Sequence, residues 1–190
     1  MTGHLAQMID NGVTDSTTAR NILLVLNGAA VETTMSLIGN TLRLLVETPG
    51  LQTSLRENPS LIPALAEESA RLESPFKGHY RVVMRRCRLG EIELEPGDRL
   101  QLLWASANRD ESAIEDADHM DLERPNLRRH LAYGHGLHFC LGAALARQEV
   151  RVVLERLFAH TNRIWLGNGG AVLIPSLFVR RLERLDLRFS

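Results

Sequence analysis

Two cysteines, Cys87 and Cys140, are all that the 190 residues contain. So low a number excludes the disulfide framework of a small secreted domain and points to a reducing, cytoplasmic setting. Positive charge is not in surplus either. Lys and Arg number 22 against 23 Asp and Glu, a net charge of −1, which leaves no electrostatic footprint for nucleic acid. The opening Met-Thr-Gly-His-Leu-Ala-Gln-Met lacks a signal peptide's charged-then-apolar layout. No apolar run reads as a membrane span, and repeats and low-complexity segments are missing. What remains is an ordinary globular composition, 44% apolar and 24% charged, long enough for one domain with its own core.

The stretch that organises the chain is Tyr133-Gly134-His135-Gly136-Leu137-His138-Phe139-Cys140-Leu141-Gly142. Its glycines allow tight or left-handed turns. Immediately after it come strong helix formers, Ala143-Ala144-Leu145-Ala146-Arg147, which predict a helix over 141–160. A cysteine at such a helix start sits where backbone N–H groups and the helix dipole favour an anion, which lowers a thiol pKa. The loop at 133–142 therefore reads as one that presents a thiolate, the ligand that soft metals and haem iron accept. The plainer alternative is that Cys140 is a small buried hydrophobe.

This loop resembles the haem-binding segment of the cytochrome P-450 family, Phe-x-x-Gly-x-His/Arg-x-Cys-x-Gly, with Tyr133 where the family usually has Phe. The resemblance implies haem (iron protoporphyrin IX) as cofactor and Cys140 as the ligand of its metal. It also implies contacts from Tyr133, Gly134 and Gly142, and a propionate bond from His138.

Upstream, helix-compatible sequence runs over 14–48, from a Thr14-Asp15 start to a stop at Pro49-Gly50. That makes a rod of roughly 50 Å, longer than the ~42 Å diameter expected of a compact globule of this size. It is apolar on almost every side, so either a partner or a larger protein should surround it. Within it, Gly28-Ala29-Ala30-Val31-Glu32-Thr33-Thr34 interrupts the apolar pattern. Small residues there would let a ligand approach the backbone, with Glu32 and Thr33 passing protons. The plainer alternative is a solvated face. The segment resembles the family's Ala/Gly-Gly-x-Asp/Glu-Thr, which puts the oxygen-activating roles on Glu32 and Thr33, places Ala29 beside the cofactor, and leaves Ala30 where Gly is usual.

A helix over 60–73 carries Glu68 and Arg71, three apart and so facing one another. They resemble the family's Glu-x-x-Arg, with Arg124 as the matching third member, a structural rather than catalytic trio. Short strands are predicted at Tyr80-Arg81-Val82-Val83-Met84, Glu91-Ile92-Glu93-Leu94 and Leu100-Gln101-Leu102-Leu103-Trp104, with a turn at Glu95-Pro96-Gly97-Asp98. By resemblance, Arg81 is the second propionate partner. Ala107-Asn108-Arg109-Asp110 reads as a structural polar turn, and hairpins should close the chain. Two loops are implied to line the substrate pocket: Phe76, Lys77, Gly78 and His79, and then Ser176, Leu177 and Phe178. Arg128 and Arg129 are a landing area for an acidic electron donor.

The fold class expected is mainly α with small β-sheets, a single cytochrome P-450-like segment over 1–190 that is incomplete, its N-terminal half absent. The implied activity is haem-thiolate monooxygenation. One atom of O2 enters a small organic substrate, with electrons from a ferredoxin- or reductase-type donor. Two rivals stand beside it: a truncated, non-catalytic haem-binding or regulatory form, and a zinc module using His130, His135, His138 and Cys140, whose spacing lacks the paired clusters of zinc sites.

Overall fold

The computed structural model describes residues 2–190. Helix α1 (Thr2–Asp10), with Leu5 buried, leads into and touches α2 (Ser16–Glu47), which buries Ala19 near its start. Asp15 caps α2. Its Oδ1 accepts from the backbone N–H of Thr17 at 2.8 Å and of Thr18 at 2.9 Å, pairing two of the donors that a helix start leaves open. The cap is thus the carboxylate, one residue beyond the Thr14 expected from the sequence.

Only the C-terminal half of α2 enters the core. Leu37 and Leu45 are buried there beside Ser36, Asn40 and Thr41. Asn40 Nδ2 donates to the carbonyls of Glu73 and Arg180 at 3.3 and 3.0 Å, and Thr41 to that of Leu37 at 2.8 Å. The N-terminal half leaves Ile22, Leu24, Val25 and Val31 exposed, and Met35 just past the midpoint is exposed too. An all-round apolar helix is therefore uncovered along half its length. Among the described residues α2 is also the one helix long and apolar enough to cross a membrane, at a mean hydropathy of 1.6. That corrects the expectation that no run reaches span length, although the buried polar side chains of its second half belong to a protein core.

Gly50, at φ +77°, turns the chain into α3 (Leu51–Glu57), a helix the Pro49-Gly50 stop signal had hidden. A 3-10 turn (Pro59–Leu61) runs into α4 (Ile62–Leu72), so the helix expected over 60–73 is α-helical only across its middle. Leu55, Ile62 and Leu65 pack with Leu37 and Leu45 of α2, Val150 and Leu154 of α6 (Ala143–His160) and Ile164. Each such side chain stabilises by about 1.5–3 kcal/mol when fully buried.

Among the described residues, three two-stranded antiparallel sheets complete the fold. Strand β1 (His79–Val82) pairs with β4 (Arg99–Leu102), and the β2 (Cys87–Leu89) and β3 (Ile92–Leu94) hairpin lies between them in sequence. β5 (Ile164–Leu173) pairs with β6 (Leu182–Phe189), with a register shift between Leu166 and Ala171. The strand expected to end at Trp104 stops at Leu102, and Trp104 opens the short helix α5 (Trp104–Ala107). Just before β1, Gly78 lies so close to β4 that a Cβ there would stand 2.6 Å from the Leu102 carbonyl oxygen. Gly78→Ala is expected to push these strands apart and cost about 1–3 kcal/mol. A thermal melt reads that as a loss of roughly 2–4 °C per kcal/mol in a chain of this size.

Candidate active site

A cavity of about 680 Å³ opens between α2, β1 and the cysteine loop. The loop owes its shape to glycine: Gly134 at φ +73° and Gly136 at φ +67° hold left-handed conformations that other residues resist. A 3-10 turn follows (Gly136–His138). Cys140 N–H then donates to the Tyr133 carbonyl at 2.8 Å, closing the loop on itself. Helix α6 begins only at Ala143, so Cys140 precedes the helix rather than opening it, as the sequence had suggested. Its thiol is free and exposed toward the cavity it lines. It is not the buried small hydrophobe of the plainer alternative.

Residues far apart in sequence meet on this wall. Ala29 and Thr33 come from α2, Arg81 from β1, and Tyr133, Gly134, His138, Cys140 and Gly142 from the loop. Thr33 Oγ1 donates to the Ala29 carbonyl at 2.6 Å, the back-bond that such hydroxyls make within helices. Ala30 also lines the cavity. Glu32 is not among the lining residues; its half-exposed carboxylate lies 3.4 Å from Arg181 Nε.

Of the two loops expected beside substrate, Phe76 and His79 reach the cavity while Lys77, Ser176 and Leu177 do not line it. Phe178 stacks edge-on against Phe76 at 5.1 Å, and Lys77 Nζ donates to the Ser176 carbonyl at 2.5 Å. Burial first, and then the Arg81 charge, hold His79 below the usual histidine range. Its Nδ1 accordingly accepts from Trp104 Nε1 at 2.6 Å.

The wall suits a flat, largely apolar group with one soft ligand and a few carboxylates. Leu137, Phe139, Leu141 and Leu145 stand exposed around Cys140, while Arg81 and His138 offer N–H donors matched to carboxylates. The Tyr133 hydroxyl in the same wall is buried without a hydrogen-bond partner, and burial pushes its phenol up to about 12. That donor set fits a porphyrin. It does not fit zinc: among the described residues no three His, Cys, Asp or Glu side chains cluster for a metal.

Glu68, Arg71 and Arg124 form one network. Arg71 meets Glu68 in a two-pronged pair, 2.7 and 2.8 Å, with both side chains buried. Arg71 also donates to the carbonyls of Asn108, Ala117 and His119, and Arg124 Nε lies 3.3 Å from Glu68 Oε1. The long loop before the cysteine is thereby pinned to α4.

A second network was missed by the sequence reading. Glu67 Oε2 accepts from His130 Nε2 at 3.0 Å and from Arg147 Nη2 at 3.0 Å, while Arg147 Nε reaches Oε1 at 2.5 Å. Ala132 N–H donates to His130 Nδ1 at 3.2 Å, so the ring proton sits on Nε2. The Arg147 guanidinium lies 4.4 Å from the Tyr133 ring centre. The signal available was the adjacent acid in Glu67-Glu68, but its partners stand 63 and 80 residues away. Burial pushes the Glu67 carboxyl up, and the His130 and Arg147 bonds outweigh it, leaving the group below its ordinary range. A depressed folded-state pKa contributes stability above the unfolded value and loses it as pH falls through the folded one. Glu67→Gln should therefore cost about 1.5–3 kcal/mol at pH 7 and progressively less as the pH falls below the ordinary carboxylate range, as urea unfolding over a series of pH values would read.

Known proteins share the sequence and fold of this chain. A sequence model of the family described as Cytochrome P450 matches residues 4–161. Cytochrome P450 144 of Mycobacterium tuberculosis is 41% identical over 185 residues, 97% of this chain and 42% of that protein. The substrate-free Mycobacterium marinum cytochrome P450 CYP150A6 superposes with a TM-score of 0.84 at 36% identity, covering 87% of this chain and 43% of its own. Cytochrome P450 CREJ, solved in complex with (4-ethylphenyl) dihydrogen phosphate, gives 0.92 at 30% identity, over 100% of this chain and 48% of its own. The chain thus spans less than half the length of these relatives.

Proposed function

Because the chain belongs to the cytochrome P450 family, we propose that its large cavity holds haem and serves a monooxygenase that acts on a small organic substrate. The carrying observation is the convergence of Cys140, Arg81, His138, Ala29 and Thr33, from three separate segments, on one largely apolar wall. Cys140 would ligate the iron. Arg81 and His138 would hold the propionates, and Tyr133, Gly134, Gly142 and Ala29 would lie against the macrocycle. When bound, haem supplies the activation of O2 and the insertion of one oxygen atom into substrate.

The remaining work falls to side chains of this chain. Thr33 Oγ1, on the cavity wall, can break its bond to the Ala29 carbonyl and donate into the cavity. Glu32, on the solvent side beside Arg181, can take up protons and pass them toward Thr33. Phe76 and His79, backed by Phe178, would bound the substrate and keep water from it. The Arg128 and Arg129 pair, exposed on the segment ahead of the loop, offers positive charge to a ferredoxin- or reductase-type donor. A cytoplasmic setting agrees with two free thiols.

A second reading has its own support. The uncovered half of α2 favours a non-catalytic haem-binding or regulatory form. Titrating the purified chain with haemin, then supplying ferredoxin, its reductase, NADPH and a panel of hydrophobic substrates, separates the two. Substrate-dependent oxygen consumption supports the monooxygenase, whereas haem binding without turnover supports the second form. No haem binding contradicts both.

A further inference from the structure

A second cavity, of about 300 Å³, lies on the other side of the strap that joins α4 to β1. Consecutive residues of that strap divide between the two spaces: Phe76 lines the large cavity and Lys77 the small one. Four cations converge on it from different parts of the chain, namely Arg43 of α2, Lys77, Arg109 after α5 and Arg180 ahead of β6. One lining carboxylate, Glu73, faces them, with Arg43 at 2.8 Å, Arg109 at 3.2 Å and Arg180 at 3.4 Å.

Two further acids stand behind the cations, Glu47 at 2.7 Å from Arg43 and Asp118 at 2.6 Å from Arg109. That still leaves one positive charge in excess. Lys77 has no carboxylate partner among the described residues, and its ammonium donates to the Ser176 carbonyl. Arg43 Nε is buried and makes no hydrogen bond. Guanidinium forks match the oxygens of phosphate, and a lysine beside them supplies a point charge. The rest of the wall is Leu173, Ile174 and Val179, apolar surface fit for an organic substituent.

We propose that this cavity, apart from the cysteine wall, binds the phosphate group of a small molecule between Arg43, Lys77 and Arg180. The proposal stands without the haem reading. The test is calorimetric titration of the 190-residue chain with inorganic phosphate and with phenyl phosphate, at ionic strength held constant with chloride. Saturable one-to-one binding is expected, weakened about tenfold or more in Lys77→Gln and recovered in Lys77→Arg. Tighter binding of phenyl phosphate would identify a phosphomonoester as the ligand, and equal affinities the free ion; either supports the site. Absence of saturable heat, or affinity unchanged in both Lys77→Gln and Arg43→Gln when circular dichroism shows them folded, overturns it.

Discussion

Arg71→Leu is expected to cost about 3–5 kcal/mol of stability, because it leaves the buried Glu68 carboxylate without its two-pronged partner and with only Arg124 as a cation beside it. Both side chains are essentially without solvent contact, 1% and 0% exposed, so water cannot replace the lost guanidinium. The loss is larger than that of a single ion pair, since Arg71 also satisfies the carbonyls of Asn108, Ala117 and His119. Those carbonyls belong to the loop between α5 and the cysteine segment, which has little regular structure and takes its order from such contacts. A fall of roughly 6–20 °C in melting temperature follows, with a flatter near-ultraviolet dichroism spectrum as the loop loosens. Adding Glu68→Gln should recover part of the loss, because the stranded charge is then gone. Arg71→Leu melting as the unchanged protein does would mean that the pair is incidental to the fold.

Cys140→Ser is expected to act in the opposite way, sparing the fold and removing the cofactor. The bond that closes the loop runs from the Cys140 backbone N–H to the Tyr133 carbonyl, and serine keeps it. The thiol itself is exposed on the cavity and packs into no core. Unfolding of the haem-free variant should therefore match that of the unchanged chain. Haem retention through gel filtration should fall by more than roughly tenfold, since even partners one step removed from a metal ligand change affinity 10–100-fold. A variant that retains haem as the unchanged chain does would move the ligand elsewhere.

What could be read in advance divides along sequence distance. The cysteine loop, the Glu68 and Arg71 pair and the long helix are written in residues within a few positions of one another, where turn chemistry and helical spacing act directly. Their placement follows from local rules. The start of α2 was misread by one residue because Thr14 and Asp15 are both good caps, and only the geometry chooses between a hydroxyl and a carboxylate. Helix α3 was hidden because Pro49-Gly50 ends one helix and, through Gly50 at φ +77°, begins the next. Trp104 reads as a strand residue by propensity, yet its indole bond to His79 accompanies a turn into α5.

Burial was the least legible property. Apolar residues surround α2 on every side, which predicted a rod that a partner or a larger protein must surround, and half of it is uncovered within this chain. Beyond the adjacent acids Glu67-Glu68, the Glu67, His130 and Arg147 network carries no local signature, because its members meet only once α4, the loop and α6 have packed. Glu32 illustrates the converse. Its neighbour Thr33 reaches the cavity, but one step along a helix turns a side chain by about 100°, and the carboxylate meets Arg181 outside.

The most direct measurement is the absorption spectrum of the haem-reconstituted chain, reduced and mixed with carbon monoxide. Cys140 ligation predicts the far-red-shifted Soret band of a thiolate-bound haem, absent from Cys140→Ser. A Soret band at the position typical of histidine-ligated haem, or the same shifted band in the serine variant, would contradict it.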